Sequence, residues 1–124
     1  MDIEKHVEYW RHGAFEDWEV GAKLVCDGKT RHGLFFLHLA LEKALKALVT
    51  IHTGEVAPRI HNLVRLAEIT GLILDDLKID VLADMNQFQI EGRYPESLTA
   101  LPSKDEAEGF LKSAGEIFQW LMKR

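Results

Sequence analysis

Apolar residues recur along nearly the whole chain at steps of three and four, the spacing that lays side chains on one face of an α-helix. Ile3, Val7, Trp10, Ala14, Trp18, Gly21 and Val25 trace such a face over residues 2–26, with Glu8, His12 and Glu16 on the opposite, solvated side. No segment alternates apolar and polar residues as a half-buried strand does. A chain patterned this way must bury its stripes helix against helix.

The punctuation between stripes is consistent with that reading. Asp27-Gly28-Lys29 interrupts the first helix, and Gly28 suits a left-handed C-terminal cap. A second helix is expected over residues 31–52, capped by Thr30 and ended by Gly54, with Leu34, Leu37, Leu41, Leu45 and Leu48 as its core stripe. After Pro58 a short helix is expected over 60–69, with Leu63 and Leu66 inward and Gly71 as its stop. The next spans 74–91 and buries Leu74, Leu77, Val81, Met85 and Phe88; Gly92 and Pro95 end it, because proline disfavours helical geometry in the residue before it. Ser103-Lys104-Asp105-Glu106 has the form of a capping box, and Ala107, Phe110, Ala114, Ile117 and Leu121 follow as the last stripe. Short connections favour antiparallel neighbours. The expected fold is all-α: one domain over residues 1–124, an up-and-down antiparallel four-helix bundle with one additional short helix.

A chain of 124 residues, 47% hydrophobic and 28% charged, fits one such core. The formal net charge of −5 removes any long-range attraction to nucleic acid or an anionic membrane. Cys26 is the one cysteine, so there is no internal disulfide and no thiolate cluster. It follows Val25 in an apolar pattern and reads as a packed thiol. The longest apolar run, residues 34–41, is interrupted by His38 and is far too short to span a bilayer. With no signal-peptide pattern at the N-terminus, a cytoplasmic protein without membrane association is expected.

Complete chemical motifs are absent from the sequence. The nine glycines are scattered, and none builds a phosphate-binding loop. The six histidines form no H-E-x-x-H pair, and the Glu-x-x-His element of bundle di-iron sites is missing. His38 with Glu42, and His12 with Glu16, share helix faces as ordinary pairs four residues apart, so neither a metal nor another cofactor is expected. Two clusters stand out. Glu42-Lys43-Ala44-Leu45-Lys46 is a charged strip on a greasy helix and reads as a solvated face. Phe35 and Leu39 point into that charged sector, away from the leucine stripe, and read either as a second apolar surface suited to a partner or as chance exposure. Arg93-Tyr94-Pro95 closes the fourth helix, where a guanidinium complements the helix dipole or could fork a phosphate while Tyr94 stacks on a base.

Taken in order, these pieces resemble the HEPN domain family, the nucleotide-binding domain of higher eukaryotes and prokaryotes. Ala14 to Leu24 resembles its first helix. Phe36 to Leu48, containing Glu42-Lys43-Ala44-Leu45-Lys46-Ala47-Leu48, is similar to its E-K-A-x-K-A-L helix. His61-Asn62-Leu63 followed by Leu66 resembles its H-x-L-x-x-L turn, and Arg93-Tyr94-Pro95 its R-Y-P ending. The resemblance implies a helical bundle that forms homodimers and pairs with a minimal nucleotidyltransferase, as in toxin–antitoxin systems. It also implies a nucleotide ligand. Many relatives are ribonucleases with an R-x(4–6)-H motif, in which the histidine assists the 2′-hydroxyl and the arginine stabilises the phosphorus centre. Here no histidine follows Arg93. Arg31 and His38 have the spacing, but within one helix their α-carbons would lie about 10 Å apart.

The expectation is therefore a non-catalytic protein of this type. Its candidate ligand contacts are His61, Asn62, Arg93, Tyr94 and Lys46, and its candidate partner surface is Phe35, Leu39, Glu42 and Lys43. A metal-independent ribonuclease using Arg93 and His61, or a purely structural adaptor, is the alternative.

Overall fold

The computed structural model describes residues 2–89 and 101–124. Among these, five α-helices follow one another: α1 (Ile3–Cys26), α2 (Thr30–Thr53), α3 (Leu63–Glu68), α4 (Asp76–Met85) and α5 (Lys104–Met122), with a 3₁₀ turn (Asn86–Phe88) directly after α4. The all-helical bundle read from the periodicity is the fold.

α1 and α2 form an antiparallel hairpin, since Gly21 meets Gly33 near the turn while Trp10 meets Lys46 toward the open end. The turn itself needs Gly28, whose φ of 81° lies in the left-handed region that costs other residues strain. α2 is the central helix. Fourteen of its 24 residues are buried, against three of 24 in α1, so α2 is wrapped on most sides while α1 covers one of them. α5 lies across the hairpin, stacking Phe118 on Trp18 with ring centroids 4.6 Å apart. It runs antiparallel to the α4 region: Phe88 meets Phe110 and Lys78 meets Trp120. The capping box at its start is formed as the sequence indicates: Glu106 N–H donates to Ser103 Oγ at 3.1 Å, and Ser103 N–H to Glu106 Oε1 at 2.9 Å.

Several local expectations need correction. Thr30 is not the cap of α2 but its first residue; Lys29 holds the cap position without a side-chain hydrogen bond. α3 starts at Leu63 rather than Ile60, because the Asn62 side chain accepts the N–H groups of Val64 and Arg65. α4 starts at Asp76, capped by Asp75, so Leu74 precedes it and Leu77 faces outward at 74% exposure. It also ends earlier than expected: the α-helix stops at Met85, the 3₁₀ turn stops at Phe88 and Gln89 is extended, while residues 90 and 91 lie outside the described residues. Cys26 is exposed, not packed. Val25 occupies the inward position at the end of α1, and the next residue of a helix lies about 100° further round. Among the described residues no helix is long and apolar enough to cross a membrane.

Candidate functional site

The charged strip on α2 is the largest departure from what its sequence suggests. Glu42 is 4% exposed and Lys46 6%, a buried pair on the central helix rather than a solvated face. Glu42 Oε2 accepts from Lys46 Nζ at 3.0 Å. Its other oxygen, Oε1, lies 3.1 Å from Nδ1 of His61, in the connection ahead of α3. Both carboxylate oxygens are thus engaged, as a buried anion requires. The Lys46 ammonium also sits 5.3 Å from the centroid of the Trp10 ring on α1, a cation–π distance. One turn back, Lys43 reaches across the hairpin to Asp17 at 2.7 Å.

His61 is the outer end of this chain, with its side chain 47% exposed. Its neighbour Asn62 fixes the local backbone. Asn62 Oδ1 accepts from Val64 N–H at 3.0 Å, from Arg65 N–H at 3.2 Å and from Asn86 Nδ2 at 3.1 Å. Asn86 returns the contact, its Oδ1 accepting Leu63 N–H at 2.8 Å. The two asparagines clasp the start of α3 to the 3₁₀ turn, so the histidine is braced by Glu42 and the helix is capped by Asn62.

Beneath this corner lies His38, 1% exposed. Among the described residues, neither of its ring nitrogens completes a hydrogen bond. Burial pushes its imidazole below the ordinary value of 6.5. The Glu42 charge and the His61 main chain oppose that shift, the His61 side chain adds to it, and the Asn86 side chain opposes it weakly. His38 is therefore neutral at neutral pH.

Of the residues singled out from sequence, Glu42, Lys46, His61 and Asn62 converge here. Lys46 is committed to Glu42, so its ammonium acts from behind the carboxylate. Phe35 and Leu39 are half-buried on the same face of α2, as is Lys43. Phe35 meets Phe36 edge to face at 5.6 Å. Arg93 and Tyr94 lie outside the described residues. Sequence reading gave no role to Trp10 or Asn86 at this site; neither has a local signal, since the contacts that matter join positions far apart in the chain. Among the described residues no group of three or more His, Cys, Asp or Glu could hold a metal ion.

Chemically, the corner offers an imidazole held at one nitrogen by a buried carboxylate whose charge a buried ammonium balances. Such an arrangement fixes the ring and its tautomer, since Nδ1 must carry the proton shared with the neighbouring carboxylate.

Comparisons with known proteins agree with the architecture. The crystal structure of TT1696 from Thermus thermophilus superposes with a TM-score of 0.79 at 19% identity, covering 94% of this chain and 96% of that one. The crystal structure of ST0689, an archaeal HEPN homologue, gives 0.70 at 18% identity with 93% of each chain covered. At these identities the likeness establishes the fold. No curated protein matches the sequence. The family described as HEPN domain matches residues 7–124, nearly the whole chain. The chain belongs to the HEPN domain family.

Proposed function

We propose that this is a non-catalytic HEPN protein that binds a nucleotide, a minimal nucleotidyltransferase partner, or both, at the His61–Asn62 corner and the adjoining face of α2. The observation that carries the reading is the Lys46–Glu42–His61 chain, which links a buried ion pair to a half-exposed imidazole. A buried ion pair adds little stability over a well-packed apolar pair. It does hold one surface ring in a fixed orientation, which is what a recognition site requires of its supporting residues. In this reading His61 and Asn62 contact the ligand, Arg93 and Tyr94 supply a phosphate fork and a stacking ring, and Lys46 sets the field from behind. Phe35, Leu39 and Lys43 form the surface for a second copy or the transferase, and the pair acts in the cytoplasm as a toxin–antitoxin-like unit.

The test is a thermal-shift titration with ATP, other nucleoside triphosphates and a short RNA on the wild type, His61→Ala and Arg93→Ala, alongside co-purification with a co-expressed minimal nucleotidyltransferase. A nucleotide at about 100 times its dissociation constant stabilises the fold by about 2.7 kcal/mol. A shift lost in either variant supports the nucleotide site. Co-purification lost on Leu39→Asp supports the partner surface. If nothing shifts and nothing co-purifies, the reading is wrong.

A metal-independent ribonuclease is a second reading, favoured by the Glu42 carboxylate on His61 Nδ1. A carboxylate-oriented imidazole is suited to take a proton from a 2′-hydroxyl. That reading expects RNA cleavage that survives a chelator and disappears in His61→Ala. Intact RNA after incubation with the wild type from about pH 5 to about pH 8, the range in which an imidazole titrates, rejects it.

A further inference from the structure

Away from the His61–Asn62 corner, α5 carries a strip of open surface along which two adjoining grooves lie. One, of about 320 Å³, is walled by Leu77 and Val81 of α4 and by Ile117 and Trp120 of α5. The other, of about 300 Å³, is lined by Glu106, Gly109 and Phe110. Both include Ser113, so they join end to end. Their α5 residues recur at steps of three and four from Glu106 to Trp120, which keeps them on one face of the helix over about 21 Å. α4 closes the Trp120 end from the other side, with the Lys78 ammonium 5.0 Å from the indole centroid.

The floor of this double groove is apolar and its rim is acidic. Leu77 leaves most of its side chain in solvent at the edge. Gly109 adds no side chain at all: a methyl group built on it meets nothing within 4 Å, so another backbone can approach closely there. Among the charged groups lining the two grooves, Asp75, Glu106 and Glu116 stand against one cation, Lys78, whose ammonium Asp75 already engages at 3.0 Å. Asp80 and Asp84, both exposed, follow Leu77 and Val81 by three residues and extend the negative wall. A cation borders the strip at its far end, where Arg124 lies 4.2 Å from the centroid of the Trp120 ring. An acidic rim repels nucleic acid and anionic membranes. A second copy docked through the same strip would set that rim against itself. A positively charged partner is attracted to it.

We propose that the α4–α5 groove docks an amphipathic helix of a partner protein, apolar on one face and rich in lysine or arginine on its flanks. The apolar face packs on Leu77, Val81, Ile117 and Trp120, and the flanking cations meet Glu106, Glu116 and the aspartates of α4. A helix of about 14 residues, roughly four turns, matches the length of the strip. Anchors three and four residues apart on such a helix would fall into the two halves of the groove in turn. The site shares no residue with the His61–Asn62 corner or with the Phe35–Leu39 face, so it stands or falls separately from the function proposed above.

Amide chemical shifts, followed by NMR as a synthetic helix is added to the full chain, read the docking directly. The probe is a peptide of about 14 residues with leucine on one face and lysine on the flanks; its control carries glutamate in place of lysine. The lysine peptide should shift the amides of Leu77, Gly109, Ser113 and Glu116 in a saturable way, and the glutamate peptide should leave them in place. Gly109→Trp fills the groove from an open helical position where the added side chain meets no neighbour, so the fold tolerates it. That variant should weaken binding by about tenfold or more, and Glu116→Lys should act in the same direction. Phe15→Ser, on the exposed outer side of α1, should leave binding unchanged. Four results overturn the proposal: no saturable shift with the lysine peptide, equal binding of both peptides, affinity that survives both Gly109→Trp and Glu116→Lys, or sedimentation showing a dimer of the protein alone that Gly109→Trp abolishes. The last would assign the groove to a second copy.

Discussion

Near its turn, the α1–α2 hairpin brings backbone against backbone. A methyl group placed on Gly33 would come within 2.6 Å of Val25 Cγ2 and 2.8 Å of Val25 N, and one on Gly21 within 3.0 Å of Gly33 O. Toward its open end the same two helices meet through charge: Lys43 on Asp17, Lys46 under Trp10, Glu42 holding both Lys46 and His61. The first contact works because side chains are absent. The second works because long polar side chains fill the space and satisfy one another. The first yields close dispersion contact at no desolvation cost. The second removes ions from water and returns a fixed geometry rather than net stability.

The sharpest way to break this contrast is Glu42→Ala. It leaves the Lys46 ammonium buried without its anion and should destabilise the protein by about 3–5 kcal/mol in denaturant unfolding. The double variant Glu42→Leu with Lys46→Met should recover most of that loss, because two apolar side chains of similar volume leave no charge stranded. Recovery in stability without recovery of ligand binding would show that the pair serves the site rather than the fold.

At the glycine end, Gly33→Ala should cost about 1–3 kcal/mol by overpacking. Val25→Ala should restore only part of it, since the added methyl also meets the Val25 main chain. Full rescue would mean the contact is a side-chain fit and not a backbone approach. Between these ends, Asn86→Ala leaves the buried side of the α3 start without an acceptor for Leu63 N–H and should cost about 1–3 kcal/mol, with lost exchange protection confined to α3. The smallest effect is remote from the hairpin. Ser103→Ala removes the α5 cap and should cost about 1 kcal/mol.

How far the sequence can be read follows the range of the interactions involved. Ser103 and Glu106 are three residues apart and close their box with no help from the rest of the chain, so the start of α5 is legible. The stripe from Ala107 to Leu121 is legible for the same reason, as each member is placed by the helix itself. Where two local signals compete, the periodicity overshoots. Leu74 and Leu77 extend the apparent stripe of α4, yet Asp75 caps the helix and Leu77 ends in solvent. In the second helix, Phe35 and Leu39 stand apart from the leucine stripe as their spacing indicates. The strip beside them reads as solvated only because Glu and Lys are seldom buried unless paired. His61 is 19 residues from Glu42 in the chain, and Asn86 is 23 from Leu63 and 24 from Asn62. No periodicity registers partners that distant.

The sequence alone determined the all-helical class, the order of the main helices, the turn at Gly28 and the capped start of α5, and its ordered motifs pointed to the HEPN family. Each of these depends on residues within a turn or two of one another, where backbone geometry fixes what meets what. The tertiary structure decided that α2 is the helix wrapped on most sides, that Glu42 and Lys46 are core residues, that Cys26 faces water, and that His38 lies buried beneath a clasp made by Asn62 and Asn86. Whether a charged side chain is buried depends on what other elements lay over it, and that is set only once the helices have packed.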